Sequence, residues 1–257
     1  METWVRSIHR KKQAIFYGPP GTGKTYIAQK LTKHLIADND GFDSLVQFHP
    51  AYAYEDFMIG IRPITKEGQL FYDPVPGHFI EFCKEAEKRT GKCVLIIDEI
   101  NRANLAQVFG ELMYLLEYRD QDIQLAGGKI FKIPDNVILI GTMNTADRSI
   151  ALVDHALRRR FAFLELAPNY EVLKSYHAGK DISIKLEQLI GLLKRLNSQI
   201  DDKNFYIGQS YFLISDLEKH IEDIWRMEIV PYLEEFFFDQ PTKVDEFRWE
   251  KIKTVLL

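Results

Sequence analysis

Ala14-Ile15-Phe16-Tyr17-Gly18-Pro19-Pro20-Gly21-Thr22-Gly23-Lys24-Thr25 is the stretch that decides how this 257-residue chain is read. Four apolar residues run straight into an octet of the form GxxxxGK[ST], and a helical pattern opens at Lys24. Strand, tight loop and helix in that order predict an anion cradle. Glycines let the backbone wrap closely, its N–H groups turn inward, and a helix N-terminus stands behind them. Gly18, Pro19, Pro20, Gly21, Thr22 and Gly23 are the residues expected to wrap phosphate. Lys24 is expected to reach the β- and γ-phosphates, and Thr25 to offer its hydroxyl to Mg²⁺. Composition alone gives the octet by chance in roughly one chain in a hundred of this length. Its weight therefore depends on its surroundings, the plain alternative being a turn into a helix.

Downstream, Val94-Leu95-Ile96-Ile97-Asp98-Glu99 reads as a buried strand ending in two acids. Asp98 at the tip is expected to hold Mg²⁺, directly or through water, which makes Thr25 and Asp98 the predicted metal pair. Glu99 is expected to orient and polarise an attacking water. Neighbours on a strand point opposite ways, so the two acids are assigned different tasks. Asn104, just beyond, is the expected cap of the next helix. Val137-Ile138-Leu139-Ile140-Gly141-Thr142-Met143-Asn144 is a second buried strand with a neutral amide at its end. Asn144 there can bond the γ-phosphate or the lytic water without changing the charge. Arg158-Arg159-Arg160 closes a short helical stretch; such a run is a solvated face, a partner for the helix dipole, or an arginine finger that neutralises charge on a transferred phosphoryl group.

Around these residues the first two-thirds of the chain alternates apolar runs with helical patterns, the mark of a parallel sheet flanked by helices. The runs are 14–17, 45–48, 94–97, 137–140 and 161–164, and they suit strands buried on both faces. Helices are expected to begin near Lys24, Gly77, Asn104 and Ile150. Residues 50–75 read as a loop or hairpin insertion whose aromatics, Tyr52, Tyr54, Phe57, Phe71 and Tyr72, are assigned to packing. Gly127-Gly128 between two short apolar runs signals a hairpin over 120–134. After Pro168 the period is helical over 183–200, 216–238 and 241–256. The predicted fold is thus an α/β large domain, residues 1–167, with a five-stranded parallel sheet, followed by a helical lid, residues 168–257.

Composition narrows the function. With 33 Lys+Arg against 37 Asp+Glu the net charge is −4, so a broad nucleic-acid-binding face is not expected. Cys83 and Cys93 form no CxxC pair and the seven histidines form no HExxH, which argues against a disulfide framework or a zinc site. Each cysteine is read as a small buried apolar residue. The N-terminal METWVRSIHRKK has no apolar core like that of a signal peptide, and no run reaches membrane-span length. The expected location is cytoplasmic, with no membrane partner.

Several stretches, taken together, resemble one family. Gly141-Thr142-Met143-Asn144-Thr145-Ala146-Asp147-Arg148-Ser149, followed by Ala156-Leu157-Arg158-Arg159-Arg160-Phe161, is similar to the signature of the McrB-like AAA+ GTPases, the motor subunits of modification-dependent restriction systems. So are Asp98-Glu99-Ile100-Asn101-Arg102-Ala103-Asn104 and Phe48-His49-Pro50 with Tyr54-Glu55-Asp56-Phe57, Gly60 and Arg62-Pro63. Gly208-Gln209-Ser210-Tyr211-Phe212 resembles the family's lid motif. The resemblance covers roughly residues 13 to 213. It implies a P-loop NTPase fold of AAA+ type, GTP hydrolysed in preference to ATP with Mg²⁺, and ring hexamers whose sites are completed by a neighbour's arginine. It also implies a McrC-type partner that carries the nuclease, and translocation along DNA once an upstream domain has found a modified base. Carried over, Glu99 and Asn144 position the water; Arg102, Arg159 and Arg160 are charge sensors or fingers; and Asp147, Arg148, Asp154 and Arg158 support the signature loop.

The sequence also departs from that pattern. Only 17 residues precede Gly18, so the DNA-recognition domain is expected to be missing from this stretch. Gly208-Gln209-Ser210 stands where many AAA+ lids carry an arginine. Two rival readings remain open: an ATP-driven remodelling chaperone of MoxR or dynein-related type, and a nucleotide-gated assembly module that binds without hydrolysing.

Overall fold

The computed structural model describes residues 2–37, 39–66, 68–147, 155–180 and 184–256. By internal contacts the chain parts into two compact units. One comprises Met1–Tyr17 and Lys24–Glu165, the other Gly18–Gly23 and Leu166–Leu257.

The first unit runs α1 (Glu2–Lys11), β1 (Gln13–Gly18), α2 (Lys24–Ile36), β2 (Asp43–Gln47), α3 (Tyr54–Phe57), β3 (Ile59–Lys66), β4 (Gln69–Pro76), α4 (His78–Ala86), β5 (Cys93–Asp98), α5 (Leu105–Phe109), α6 (Leu112–Glu117), β6 (Ile123–Gln124), β7 (Ile130–Phe131), β8 (Val137–Asn144), α7 (His155–Arg160) and β9 (Ala162–Glu165). Its parallel sheet has the order β2-β5-β8-β1-β9. The three inner strands are the apolar ones. Val94 to Ile97 and Val137 to Thr142 are buried along their whole length, as strands covered on both faces must be. The edge strand β2 departs from that expectation. Its burial alternates and Leu45 is exposed, because an edge strand has one neighbour and one covered side. Phe48 and Phe161 are buried but fall just outside their strands. On one face of the sheet Phe57 stacks between Phe79, 5.2 Å away, and Phe109, 5.4 Å away.

The helix starts at Lys24, Gly77 and Asn104 fall where expected, and Asn104 accepts a capping bond from the Gln107 N–H at 3.4 Å. The start expected near Ile150 lies outside the described residues. Both hairpins are present, β3 with β4 and β6 with β7. Of the five aromatics in the first insertion, Phe57 is fully buried and Tyr52 and Tyr54 pack against the core. Phe71 and Tyr72 lie on adjacent, opposite-facing positions of β4, and both are exposed. Cys83 and Cys93 are free and buried.

In the second unit, α8 (Glu171–His177), α9 (Leu186–Ser198), α10 (Leu217–Ile224), α11 (Val230–Phe236), α12 (Pro241–Asp245) and α13 (Trp249–Leu256) enclose a second apolar core around Trp225, Phe212 and Phe247. The single helix predicted over 216–238 is interrupted by a π-helical turn, Trp225–Ile229. Pro231 stands two residues beyond it, in the first turn of α11. Its ring cannot tolerate a carbonyl in the usual position one turn back, and a wider turn relieves the clash. Among the described residues no helix is long and apolar enough to cross a membrane.

Candidate functional site

In the first unit the site is built at strand ends. β5 delivers Asp98 at its tip, β8 delivers Thr142 and Asn144, and α2 opens with Lys24 and Thr25. Asp98 Oδ1 is the point of convergence. It accepts from the Thr25 hydroxyl at 2.7 Å and from the Thr142 hydroxyl at 2.5 Å. A hydroxyl and a carboxylate oxygen side by side are hard donors suited to Mg²⁺. Among the described residues no cluster of three or more His, Cys, Asp or Glu could hold an ion unaided. A cation at Thr25 and Asp98 would thus need further oxygens from water and from a ligand such as a phosphate chain.

Glu99 is separated from Asp98 by a device other than strand alternation. The strand ends at Asp98, and Glu99 adopts left-handed backbone angles, φ 53° and ψ 44°. Its N–H donates to Thr142 Oγ1 at 3.2 Å. Thr142, only 2% exposed, therefore bridges the two acids through one hydroxyl. The motif reading gave it no role. The available signal was a hydroxyl inside an otherwise apolar strand, which demands buried partners.

Beside these, Arg102 lies 3.5 Å from Glu99 and 3.6 Å from Asp147. Glu99 Oε2 and Asp147 Oδ2 are buried and accept no hydrogen bond from the described residues. Burial pushes the Glu99 carboxyl up, with Arg102 opposing it and Asp147 and Asp98 adding to it. Burial also pulls Lys24 down to about 8, against the attraction of Glu99, Asp147 and Asp98. An anion arriving beside Lys24 would restore its proton.

The remaining predicted residues divide. Asn144 ends β8; its Oδ1 accepts from the Ala146 N–H at 3.4 Å, and its backbone carbonyl accepts from Asn101 Nδ2 at 3.1 Å. Asn101 is a second residue to which sequence reasoning gave no role. The three arginines are not gathered onto the acids. Arg158 lies over the Phe163 ring. Arg160, 16% exposed, donates to the Met113 carbonyl and pairs with Glu117 at 2.7 Å. Arg159 pairs with Glu117 at 3.1 Å but is 76% exposed. Arg148 and Asp154 lie outside the described residues.

In the second unit the loop Gly18–Gly23 is held by its carbonyls. Thr22 Oγ1 donates to the Pro19 carbonyl at 3.0 Å, the Gly208 N–H to Pro20 at 3.0 Å, the Ser210 N–H to Gly21 at 2.7 Å, and Gln209 Nε2 to Thr22 at 3.2 Å. A Cβ on Gly208 would lie 2.1 Å from the Gly21 carbonyl carbon, so only glycine permits this approach. Gln209 also accepts, from the Asn169 N–H at 3.0 Å, and is 6% exposed. The segment is braced on either side. Asn197 bonds both the N–H and the carbonyl of Ile207, and His177 Nε2 donates to the Phe212 carbonyl at 2.9 Å.

A family model for the AAA domain of the dynein-related subfamily matches residues 13–161, and one for the McrB alpha-helical lid domain matches residues 188–245. The chain is 38% identical over 268 residues to the type IV methyl-directed restriction enzyme EcoKMcrB subunit of Escherichia coli K12, covering 95% of this chain and 58% of that protein. It is 27% identical over 289 residues to the type II restriction enzyme BsuMI component YdiS of Bacillus subtilis 168, covering 94% of this chain and 83% of that one. Neuron navigator 1 of mouse is 21% identical over 269 residues, 91% of this chain and 12% of its own length. The chain thus spans little more than half the length of its Escherichia coli relative.

Proposed function

The chain belongs to the McrB-like AAA+ family, with a dynein-related AAA domain and a McrB-type lid, and from that premise we propose that it is the GTP-hydrolysing motor of a modification-dependent restriction system. In this reading subunits assemble into a ring and drive DNA translocation for a McrC-type endonuclease.

One observation carries the hydrolytic part: Thr25 and Thr142 both bond Asp98, while Glu99 is turned aside and tethered to the same Thr142. The loop N–H groups and Lys24 bind the phosphate chain. Thr25 and Asp98 would hold Mg²⁺, which when bound would neutralise charge on the phosphate chain. Glu99 accepts the proton of the attacking water as the water oxygen bonds to the γ-phosphorus and the bond from that phosphorus to the β–γ bridging oxygen breaks, the diphosphate leaving with the bridging oxygen; burial raises the basicity of Glu99 for that task. Asn144 offers its amide N–H to the γ-phosphate or to the water. Arg159 is assigned to the neighbouring subunit's site, and its exposure supports that assignment. Guanine preference, the ring and the endonuclease partner rest on the family likeness and on restriction proteins being the relatives at 38% and 27% identity.

The dynein-related label of the matched AAA model favours a second reading, an ATP-driven remodelling chaperone. Turnover of the purified protein with GTP and with ATP, with and without a McrC-type subunit, separates the two. Strong ATP preference with indifference to that subunit would overturn the restriction reading.

A further inference from the structure

We propose that Gln209 is a positioning residue for the phosphate loop, acting with the backbone N–H groups of Gly208 and Ser210 as a latch on the loop's outer side. The proposal rests on the nucleotide reading above and adds to it how the loop acquires its shape.

In a trans peptide the carbonyl and the following N–H point in opposite directions. Four successive loop carbonyls, those of Pro19, Pro20, Gly21 and Thr22, are each engaged by a donor, three of them from residues 208–210. The following N–H groups, of Gly21, Thr22 and Gly23, are thereby turned to the opposite side, where consecutive amides form an anion nest. Gln209 suits the position because an amide both donates and accepts. It gives its Nε2–H to Thr22 and takes the Asn169 N–H on Oε1. An arginine at this point has no acceptor and would leave the Asn169 N–H without its partner. The lid motif therefore acts on the nucleotide through neutral backbone geometry. A charged sensor would instead act by touching the phosphates.

The latch acts on the phosphate chain and on nothing else in the nucleotide, and that supplies the test. Dissociation constants are measured for the mant-labelled guanine tri-, di- and monophosphates on the full chain and on Gln209→Met, which keeps the volume and loses both bonds. The tri- and diphosphate should weaken roughly three- to tenfold, the worth of one or two hydrogen bonds, while the monophosphate changes less than about twofold. Equal weakening of all three, or none, overturns the latch; a purely structural role lowers the melting temperature without this dependence on phosphate number. If the wild type binds none of the three, the nucleotide reading itself fails; if it binds and the variant matches it, only the latch does. Hydrogen exchange on the wild type covers the case of a variant that does not fold. The Gly208 and Ser210 amides should be protected at least roughly a hundredfold without nucleotide, and free exchange at either would overturn the proposal.

Discussion

Lys24 carries a charge that the fold resists. Its ammonium is held down to about 8 against 10.5 in the unfolded chain. Between those values the unfolded chain binds a proton that the folded chain has shed, so stability rises with pH across that window. Below about 8 the penalty of burying the charge is fully present. A phosphate chain beside the ammonium reverses the shift, so nucleotide binding just above pH 8 should take up protons. Calorimetry in two buffers of different ionisation heat measures the uptake, and Lys24→Met should remove both it and binding. Binding with no proton uptake in the wild type would contradict this account. For the acids, Glu99→Gln should leave nucleotide affinity within a few-fold and cut turnover by about 10²–10⁴. Thr142→Val keeps the shape and strips the hydroxyl from both acids. It should cost about 1–3 kcal/mol of stability, from the Glu99 N–H left unpaired, and lower turnover as well. A chemical melt and a steady-state assay of the same preparation decide it; unchanged values in both would remove Thr142 from the site.

Among the elements, α7 separates two arginines that the sequence presents as equals. Arg160 is tied to Met113 and Glu117 beneath the surface, whereas the Arg159 side chain pairs with Glu117 at the rim and is largely exposed. Arg160→Ala should destabilise by about 1–3 kcal/mol, and Arg159→Ala by less than about 1 kcal/mol. Arg159→Ala should nevertheless lose turnover with nucleotide affinity spared, because the interaction is made in the transition state. Undiminished turnover in Arg159→Ala would end its assignment as a finger. The contrast also marks what could be read in the sequence. The phosphate loop, the β5 acids and the inner strands were legible because local pattern dictates them: glycine spacing in the octet and unbroken apolar runs in β5 and β8. Thr142 and Asn101 were not, since their roles come from strands 43 residues apart in sequence meeting side by side. The exposure of Leu45 followed from strand order, which a single run does not encode. The same holds for Gln209, whose partner Thr22 lies 187 residues away. The left-handed turn at Glu99 gave no signal either, because glutamate is not a residue that announces it.

At the level of the whole molecule, the proposed ring makes each site a joint product of two subunits. Glu99→Gln lacks the base and Arg159→Ala lacks the finger, so each should be nearly inactive alone. Mixed, they should recover part of wild-type turnover wherever an intact Glu99 meets an intact Arg159 across an interface. Mixtures no more active than the sum of their parts would argue for sites complete within one subunit. The grouping of Gly18–Gly23 with Leu166–Leu257 has a practical consequence for anyone wishing to borrow this catalyst. A fragment cut after Glu165 would retain Lys24, Thr25, Asp98, Glu99, Thr142, Asn144 and Arg159, every side chain assigned to chemistry. It would lack the donors that shape the grip. Grafted onto another scaffold it would be a blade without its handle, and a transplant would have to carry the distal helices to keep hold of its substrate.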